Sequence, residues 1–399
     1  MSRFEPFTGV RYDLDRVAVQ DVVAPPYDVI GPEEQRQLEE RSPYNVVRVE
    51  LPRDEPDRDR YEAARCRFDE WLASGVLRPD PEPGFYMYAM GHHDDAGRPR
   101  QTMGVIGALG LSGTGDGDVL PHERTMPKPR DDRLDLLRSC RANLSPIWGL
   151  SLASGLSDLC RPDGPPLARC TDADGVHHRL WRMSGPGAIE AVASTVASAP
   201  VVIADGHHRY ETALAYRDER RAASGGAPGP HDLIMALLVE LADDQLSVAP
   251  IHRLVTELPD GFDPVPTLAA AFDLTDGVVP GPDLPDRARH AGALALVTRG
   301  NRAWLARPRP GHADPDLTDA GLLDEVLSGW PPHATSYPHR ADDVLAAVGD
   351  GRAQLGLLLR PPTVAQIAAT ARTGRRMPQK TTFFQPKPRS GMVFRRLDE

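Results

Sequence analysis

The sequence predicts an α/β or α+β protein built on a mixed sheet with helices packed against it. Three observations predict it. Apolar runs of strand length, at 201–204 and 233–241, alternate with segments of helical periodicity such as 57–74 and 210–223. Turn residues punctuate them: the chain has 35 glycines and 40 prolines, many in loops such as 79–84 and 227–230. Its 399 residues, 40% hydrophobic and 26% charged, suffice for two domains with sizeable cores.

In chain order, residues 1–20 read as a short strand and turn. Val22-Val23-Ala24 is a brief apolar strand running into Pro25-Pro26-Tyr27-Asp28, where consecutive prolines deny helix. Gly31 then precedes a helix with Pro32 at a tolerated first-turn position. Residues 45–51 alternate and read as a strand. Residues 57–74 read as an amphipathic helix, with Tyr61, Ala64, Phe68, Trp71 and Leu72 on one side and Gly75 as its stop. Segments 85–90 and 102–111 read as paired strands around the polar turn at 94–97. A helix is expected at 131–140, strands at 145–151 and 178–183, and a helix at 188–197 leading into the strand that precedes Asp205. The run 233–241 is apolar apart from Glu240 and reads as a central strand, with a buried helix the alternative. Further on, 265–272, 317–327, 341–348 and 363–371 read as helices, 293–298 and 302–306 as a hairpin around Gly300-Asn301, and 355–359 as a strand. The organisation expected is a core over 1–260, a smaller α/β lobe over 261–355, and a C-terminal segment, 356–399, that returns to the core cleft.

Net charge is −11, which disfavours nonspecific binding to nucleic acid or acidic membrane. No run approaches the roughly 18 apolar residues of a membrane span. Arg3, Glu5 and Asp13 interrupt any apolar leader, so no signal peptide and a cytoplasmic location are expected. The cysteines Cys66, Cys140, Cys160 and Cys170 form no CxxC pair; Cys160 and Cys170 could bridge a loop, but nothing in the sequence points to an oxidising compartment.

The most informative stretch is Val201-Val202-Ile203-Ala204-Asp205-Gly206-His207-His208-Arg209-Tyr210, a buried strand, a one-glycine turn and a helix start. The first turn of a helix leaves backbone N–H groups unpaired and carries about half a positive charge, so it suits phosphate. Arg209 adds a planar fork of donors, and Gly206 lets the backbone approach a ligand closely. Gly206, His207, His208 and Arg209 are therefore candidate phosphate-binding residues, against the plainer reading of a surface turn capped by histidines. Adjacent histidines on a helix face different sides, which weakens a shared metal site.

Three further clusters carry chemistry. In Pro121-His122-Glu123-Arg124-Thr125-Met126-Pro127-Lys128, Met126 stands where a zincin needs histidine, so that reading fails. His122 and Glu123 are candidates for a base or proton shuttle and Lys128 for phosphate neutralisation; a solvated polar loop is the alternative. Asp28 is a candidate for Mg²⁺ or for orienting a substrate amine, or else a turn cap. In the segment 377–387, Lys380 and Lys387 with the hydroxyls of Thr381 and Thr382 suit a phosphate-rich ligand. Walker A, G-x-G-x-x-G and G-x-S-x-G patterns are missing from the sequence.

These clusters, in this order, resemble the large bacterial family catalogued as domain of unknown function 1015. The matching segments are 24–30, 121–125, 204–213 and 377–387, and the resemblance spans essentially the whole chain. The turn Gly206-His207-His208-Arg209 is also similar to the turn that opens a helix in the ParB and sulfiredoxin superfamily, which includes CTP-binding partition proteins, ATP-using sulfiredoxins and free-serine kinases. That resemblance implies a ParB/sulfiredoxin-like core elaborated by a second lobe, with the turn wrapping nucleotide phosphates. The turn lacks a cysteine, and no DNA-binding helix-turn-helix is recognisable, which leaves the serine-kinase branch.

The expected function is a phosphotransferase using a nucleotide (ATP or ADP) and Mg²⁺ on a small hydroxylated metabolite such as serine. Arg209 and the helix start would hold phosphates with Lys128 or Lys380, Asp205 or Asp28 would bind Mg²⁺, and Glu123 or His122 would accept the hydroxyl proton, with Asp205 also in the catalytic set. The alternatives are a non-catalytic nucleotide-sensing module and a metal-dependent hydrolase using His122, His207 or His208. The expected partner is a small-molecule substrate, with no nucleic acid and no membrane; the oligomeric state is not read from the sequence.

Overall fold

Apolar alternation and strand length decide the central sheet. The computed structural model describes residues 2–94, 97–113, 117–121, 131–300, 302–312, 317–373 and 377–398. These fall into two compact units, one built from the chain up to Ser247 together with the segment that starts at Pro386, the other from Val248–Gln385. The architecture is mixed α/β.

The first unit holds a nine-stranded sheet in the order Val119–Pro121, Val201–Asp205, Ile147–Ser151, Leu233–Glu240, Pro99–Gly110, Phe85–His93, His177–Met183, Ala168–Thr171, with Phe4–Glu5 paired onto Pro99–Gly110. Pairing is mixed. Leu233–Glu240 runs parallel to Ile147–Ser151 and antiparallel to Pro99–Gly110, while Val201–Asp205 runs parallel to Val119–Pro121 and antiparallel to Ile147–Ser151. Leu233–Glu240 is buried on both faces up to Val239, which is why its sequence is a continuous apolar run rather than an alternating one. Helix Pro186–Ala197 adds Val192 and Val196 to the sheet's apolar cluster, and helix His207–Ala223 adds Tyr210 and Ala213.

A second apolar cluster in this unit gathers Val10, Val22, Val47, Phe68, Trp71 and Phe394. It joins a four-stranded sheet (Leu77–Pro79, Gly9–Tyr12, Phe394–Arg396, Ala142–Asn143) to helix Arg60–Ala73. That helix begins at Arg60, three residues later than the sequence reading, because the Asp59 carboxylate accepts the N–H groups of Tyr61 and Glu62 at 2.9 and 3.0 Å.

One expected strand is helical: residues 45–51 contain helix Val47–Glu50. The expected strand 22–24 starts late, since Val22 closes the helical turn Val19–Val22 and Val23 is already extended. Asn45 explains the helix. Its Oδ1 accepts the Val47 N–H at 3.0 Å, and its Nδ2 donates to the carbonyls of Asp21 and Val23 at 2.8 and 3.2 Å. A side chain that caps a turn from inside the core outweighs the strand preference of valines. Ala24 still pairs as an isolated bridge, with Ser390.

The second unit is a six-stranded antiparallel sheet in the order Phe272–Val278, Arg302–Pro308, Leu294–Thr298, Leu355–Leu358, Arg253–Thr256, Ala334–Ser336. Leu294 and Leu296 enter one apolar cluster, with helix Asp319–Ser328, while Ala295 and Val297 enter another, with helix Ala341–Gly349. The period of two carries successive residues to opposite faces, each covered by helices. The expected hairpin 293–306 is present. The expected helix 265–272 is shorter, Pro264–Leu268, because Phe272 already opens a strand. All four cysteines are free, so no bridge joins Cys160 to Cys170. No helix among the described residues is long and apolar enough to cross a membrane.

Candidate functional site

The strand Val201–Asp205 shifts register against Ile147–Ser151 between Ile203 and Asp205, and at that irregularity the chain turns into helix His207–Ala223. Gly206 makes the turn with φ +88°, in the left-handed region that a side chain resists. A Cβ there would lie 3.0 Å from Nε and Nη2 of Arg209 and 3.0 Å from Cγ2 of Ile147. The missing side chain thus lets Arg209 fold back over the turn that starts its own helix. The bond from Tyr210 N–H to Gly206 C=O, 3.0 Å, is the first of the helix, so the N–H groups before it have no acceptor within the helix.

Arg209 sits in the middle of a polar chain drawn from four segments. Its Nη1 donates to Ser145 Oγ at 3.1 Å and to the Pro146 carbonyl at 2.5 Å, and its Nη2 donates to Asp205 Oδ2 at 3.2 Å. Asp205 Oδ1 receives Lys387 Nζ at 2.6 Å. Burial by itself would raise the Asp205 carboxyl, but Lys387 and Arg209 outweigh it and hold the carboxyl below its ordinary pKa. On the other side, Ser145 Oγ donates to Glu50 Oε1 at 2.9 Å. Glu50 is 3% exposed, and burial raises its pKa against the opposing pull of Arg133, Arg209 and the Ser145 hydroxyl.

Tyr27 lies between two guanidinium groups, with Arg133 at 4.6 Å and Arg209 at 5.9 Å from its ring centroid. Arg133 also donates to the Glu50 carbonyl at 2.7 Å and pairs with Asp132 at 2.8 Å. Asp28, exposed, contributes to the field felt by Arg209, Tyr27 and Glu50. Beneath the helix start is a cavity of about 60 Å³ lined by Glu50, Arg133, Ser145 and Arg209, with Leu136 and Leu144 among its apolar walls. Glu50 Oε2 and Arg209 Nε are buried without a hydrogen-bond partner among the described residues.

Of the residues singled out from sequence, Asp28, Asp205, Gly206 and Arg209 share this cluster. His207 and His208 occupy the first turn of the helix, His207 adding to the field at Asp205 and His208 Nδ1 standing 3.8 Å from Glu211 Oε2. Lys380 belongs to the second unit, with φ +56° and its carbonyl accepting from Arg253 Nη1 at 2.9 Å. His122, Glu123 and Lys128 lie outside the described residues. Among the described residues no three His, Cys, Asp or Glu side chains group as a metal-binding set.

Sequence reasoning missed Glu50, Ser145 and Arg133, and did not attach Lys387 to Asp205. One signal for Lys387 was present: of the chain's 46 basic residues only Lys128, Lys380 and Lys387 are lysine. Lysine presents a compact ammonium where arginine presents a planar fork, so the two are not interchangeable at an anion site. Glu50 had no such signal, because it reads as the polar end of an alternating run.

No curated protein matches the chain. Among solved structures it is similar to a conserved hypothetical protein from Pyrococcus furiosus, at 12% identity over 69% of this chain and 90% of that one, with a TM-score of 0.36. It is similar to a free serine kinase in complex with AMP at 12% identity over 67% of this chain and 83% of that one, TM-score 0.37. A third is SbnI with a C-terminal truncation, from Staphylococcus aureus, at 11% identity over 72% and 86% of the two chains, TM-score 0.39. Likenesses this shallow say nothing about activity. The model of the family described as "Protein of unknown function (DUF1015)" matches residues 4–326, and the chain belongs to that family.

Proposed function

We propose that this protein is a phosphotransferase that holds nucleotide phosphates at the start of helix His207–Ala223 and passes a phosphoryl group to a small hydroxylated metabolite such as serine. The observation that carries the reading is the convergence of Lys387 and Arg209 on Asp205 at that helix start. Two cations beside a first turn favour anionic oxygens, and phosphoryl transfer depends on charge neutralisation and positioning more than on covalent help. Asp205 keeps the two cations apart and oriented.

In the reaction, the bond between the terminal phosphorus and the nucleotide's bridging oxygen breaks as a bond forms to the acceptor oxygen, whose proton passes to a carboxylate. Glu50 suits the proton acceptor: its pKa is raised, its Oε2 is buried with no hydrogen-bond partner among the described residues, and the residue lines the cavity beside Arg209. His122 and Glu123 are the candidates the sequence offers for the same role. Mg²⁺ on nucleotide phosphates needs only one or two carboxylates and otherwise keeps water. Asp28, exposed beside the cluster, fits that need better than Asp205, whose oxygens hold Lys387 and Arg209. The ion would supply charge neutralisation at the phosphates.

One observation favours a second reading. The Nη donors of Arg209 already serve Ser145, Pro146 and Asp205, as in a module that senses a nucleotide by rearranging this chain of contacts without consuming it. A thermal-shift screen of ATP, ADP and AMP with Mg²⁺ and serine, followed by a phosphate-transfer assay, separates the two. The kinase reading expects stabilisation and transfer, the sensor stabilisation alone; no shift with any nucleotide would dismiss both.

A further inference from the structure

Lys387 stands between Pro386 and Pro388. A residue before proline is confined to extended backbone, and proline fixes its own φ, so the ammonium is carried on a stiff stem. The footing of that stem is at the next two residues. Ser390 exchanges backbone hydrogen bonds with Ala24 at 2.9 and 3.2 Å, directly ahead of Pro25-Pro26-Tyr27-Asp28. Arg389 is held twice: its backbone N–H donates to Tyr88 Oη at 3.1 Å, and its guanidinium pairs with Asp172 Oδ2.

Behind Arg389 these two anchors are one relay. Tyr88 Oη lies 2.8 Å from His178 Nδ1, and His178 Nε2 lies 3.0 Å from Asp172 Oδ2. A carboxylate only accepts, which assigns the proton to Nε2 and leaves Nδ1 to accept from the phenol. Burial lowers the His178 pKa, while His178 and Arg389 hold the Asp172 carboxyl low despite its own burial. Tyr88 and His178 are diagonal neighbours on paired strands, since Leu180 faces Tyr88 and Met90 faces His178. Both are almost wholly buried, at 1% and 0% exposure. A polar relay so deep gives up hydration that apolar side chains would not have to lose. What it adds is a fixed geometry.

We propose that Tyr88, His178 and Asp172 are positioning residues that set where the Lys387 ammonium lies, a role that rests on the reading in which Lys387 holds a phosphate oxygen. The relay grips Arg389, the proline-bounded stem passes that grip to Lys387, and the Ser390–Ala24 bridge ties the Tyr27–Asp28 turn to the same footing.

The chain's three lysines make the test direct. The full-length protein is acetylated with an amine-reactive ester, and the labelling rate of each lysine is read by peptide mass spectrometry. Lys387 has a side chain only 17% exposed, while Lys380 is exposed and serves as the internal reference. In Tyr88→Phe and Asp172→Asn, folded by circular dichroism, the Lys387 rate is expected to rise several-fold relative to Lys380. A lower melting temperature with an unchanged Lys387 rate would overturn the proposal and leave the relay a structural feature only. Should Asp172→Asn fail to fold, Tyr88→Phe, which removes one oxygen and keeps the ring, decides alone. A raised Lys387 rate in variants of a protein whose parent binds no nucleotide would keep the anchor and discard the phosphotransferase reading.

Discussion

Lys387 Nζ lies 2.6 Å from Asp205 Oδ1, a contact that joins residues 182 positions apart and ties the C-terminal segment to the opening of a helix. Buried ion pairs are weak contributors to stability, because desolvation offsets most of their attraction. The pair makes better sense as an arrangement of charge for a ligand. Its cation is also one of only three lysines among 46 basic residues.

That choice gives a sharp expectation for Lys387→Arg. The guanidinium keeps the charge but is wider and planar, and does not present a compact donor from the same stem. Phosphate transfer is expected to fall by about 10²-fold, the cost of losing one transition-state charge partner, while circular dichroism stays that of the parent. Steady-state transfer assays check this, and parental turnover in the variant would show that only the charge matters.

Gly206→Ala tests the turn. With φ at +88° and Arg209 and Ile147 atoms 3.0 Å from the new Cβ, the substitution strains the backbone and displaces Arg209 together. Urea unfolding is expected to show a loss of about 1–3 kcal/mol, with nucleotide affinity reduced as well. An unchanged midpoint would mean that the turn relaxes freely.

Glu50→Gln separates chemistry from binding. A raised carboxyl pKa means the unfolded chain ionises first as pH rises, so the Glu50 charge costs stability above the ordinary carboxyl range. The neutral isostere is therefore expected to melt no lower than the parent at pH 7 and to bind nucleotide normally. Transfer should fall by about 10²–10⁴-fold, as for a lost general base. Normal turnover would return that role to Glu123 or His122.

In the second unit, His252 is 3% exposed, and its Nδ1 accepts the Leu359 N–H at 3.2 Å. Burial, with Arg253 and His339 nearby, pushes its pKa down to about 4. The folded form stays neutral while the unfolded chain takes up a proton below its ordinary value of about 6.5, so stability falls as pH drops from there towards 4. The loss expected from this residue is roughly 3 kcal/mol. Unfolding midpoints of the parent and His252→Gln between pH 7 and 4.5 measure it, and parallel pH profiles would exclude His252 as the source.

Much of the fold was legible because periodicity is local. The runs 201–205 and 233–240 and the pattern of 60–73 carry their own burial. The misread segment, 45–51, depends on Asn45 reaching carbonyls 24 and 22 positions away, which no window of sequence contains. The same limit applies to the site. Gly206 and Arg209 announce themselves through a turn and a helix start, whereas Glu50 joins them through Ser145, 95 positions on, and Lys387 through a strap anchored at Tyr88 and Asp172.

Whether Lys387 holds nucleotide phosphate is measured by calorimetric titration of ADP and ATP, with Mg²⁺, into the parent protein and Lys387→Ala at two salt concentrations. Binding by the parent is expected to weaken with salt, as for phosphate held by charge, and the variant to bind at least tenfold more weakly, a loss of about 1.4 kcal/mol. Equal affinities in the two proteins, or no nucleotide binding by the folded parent, would contradict this expectation.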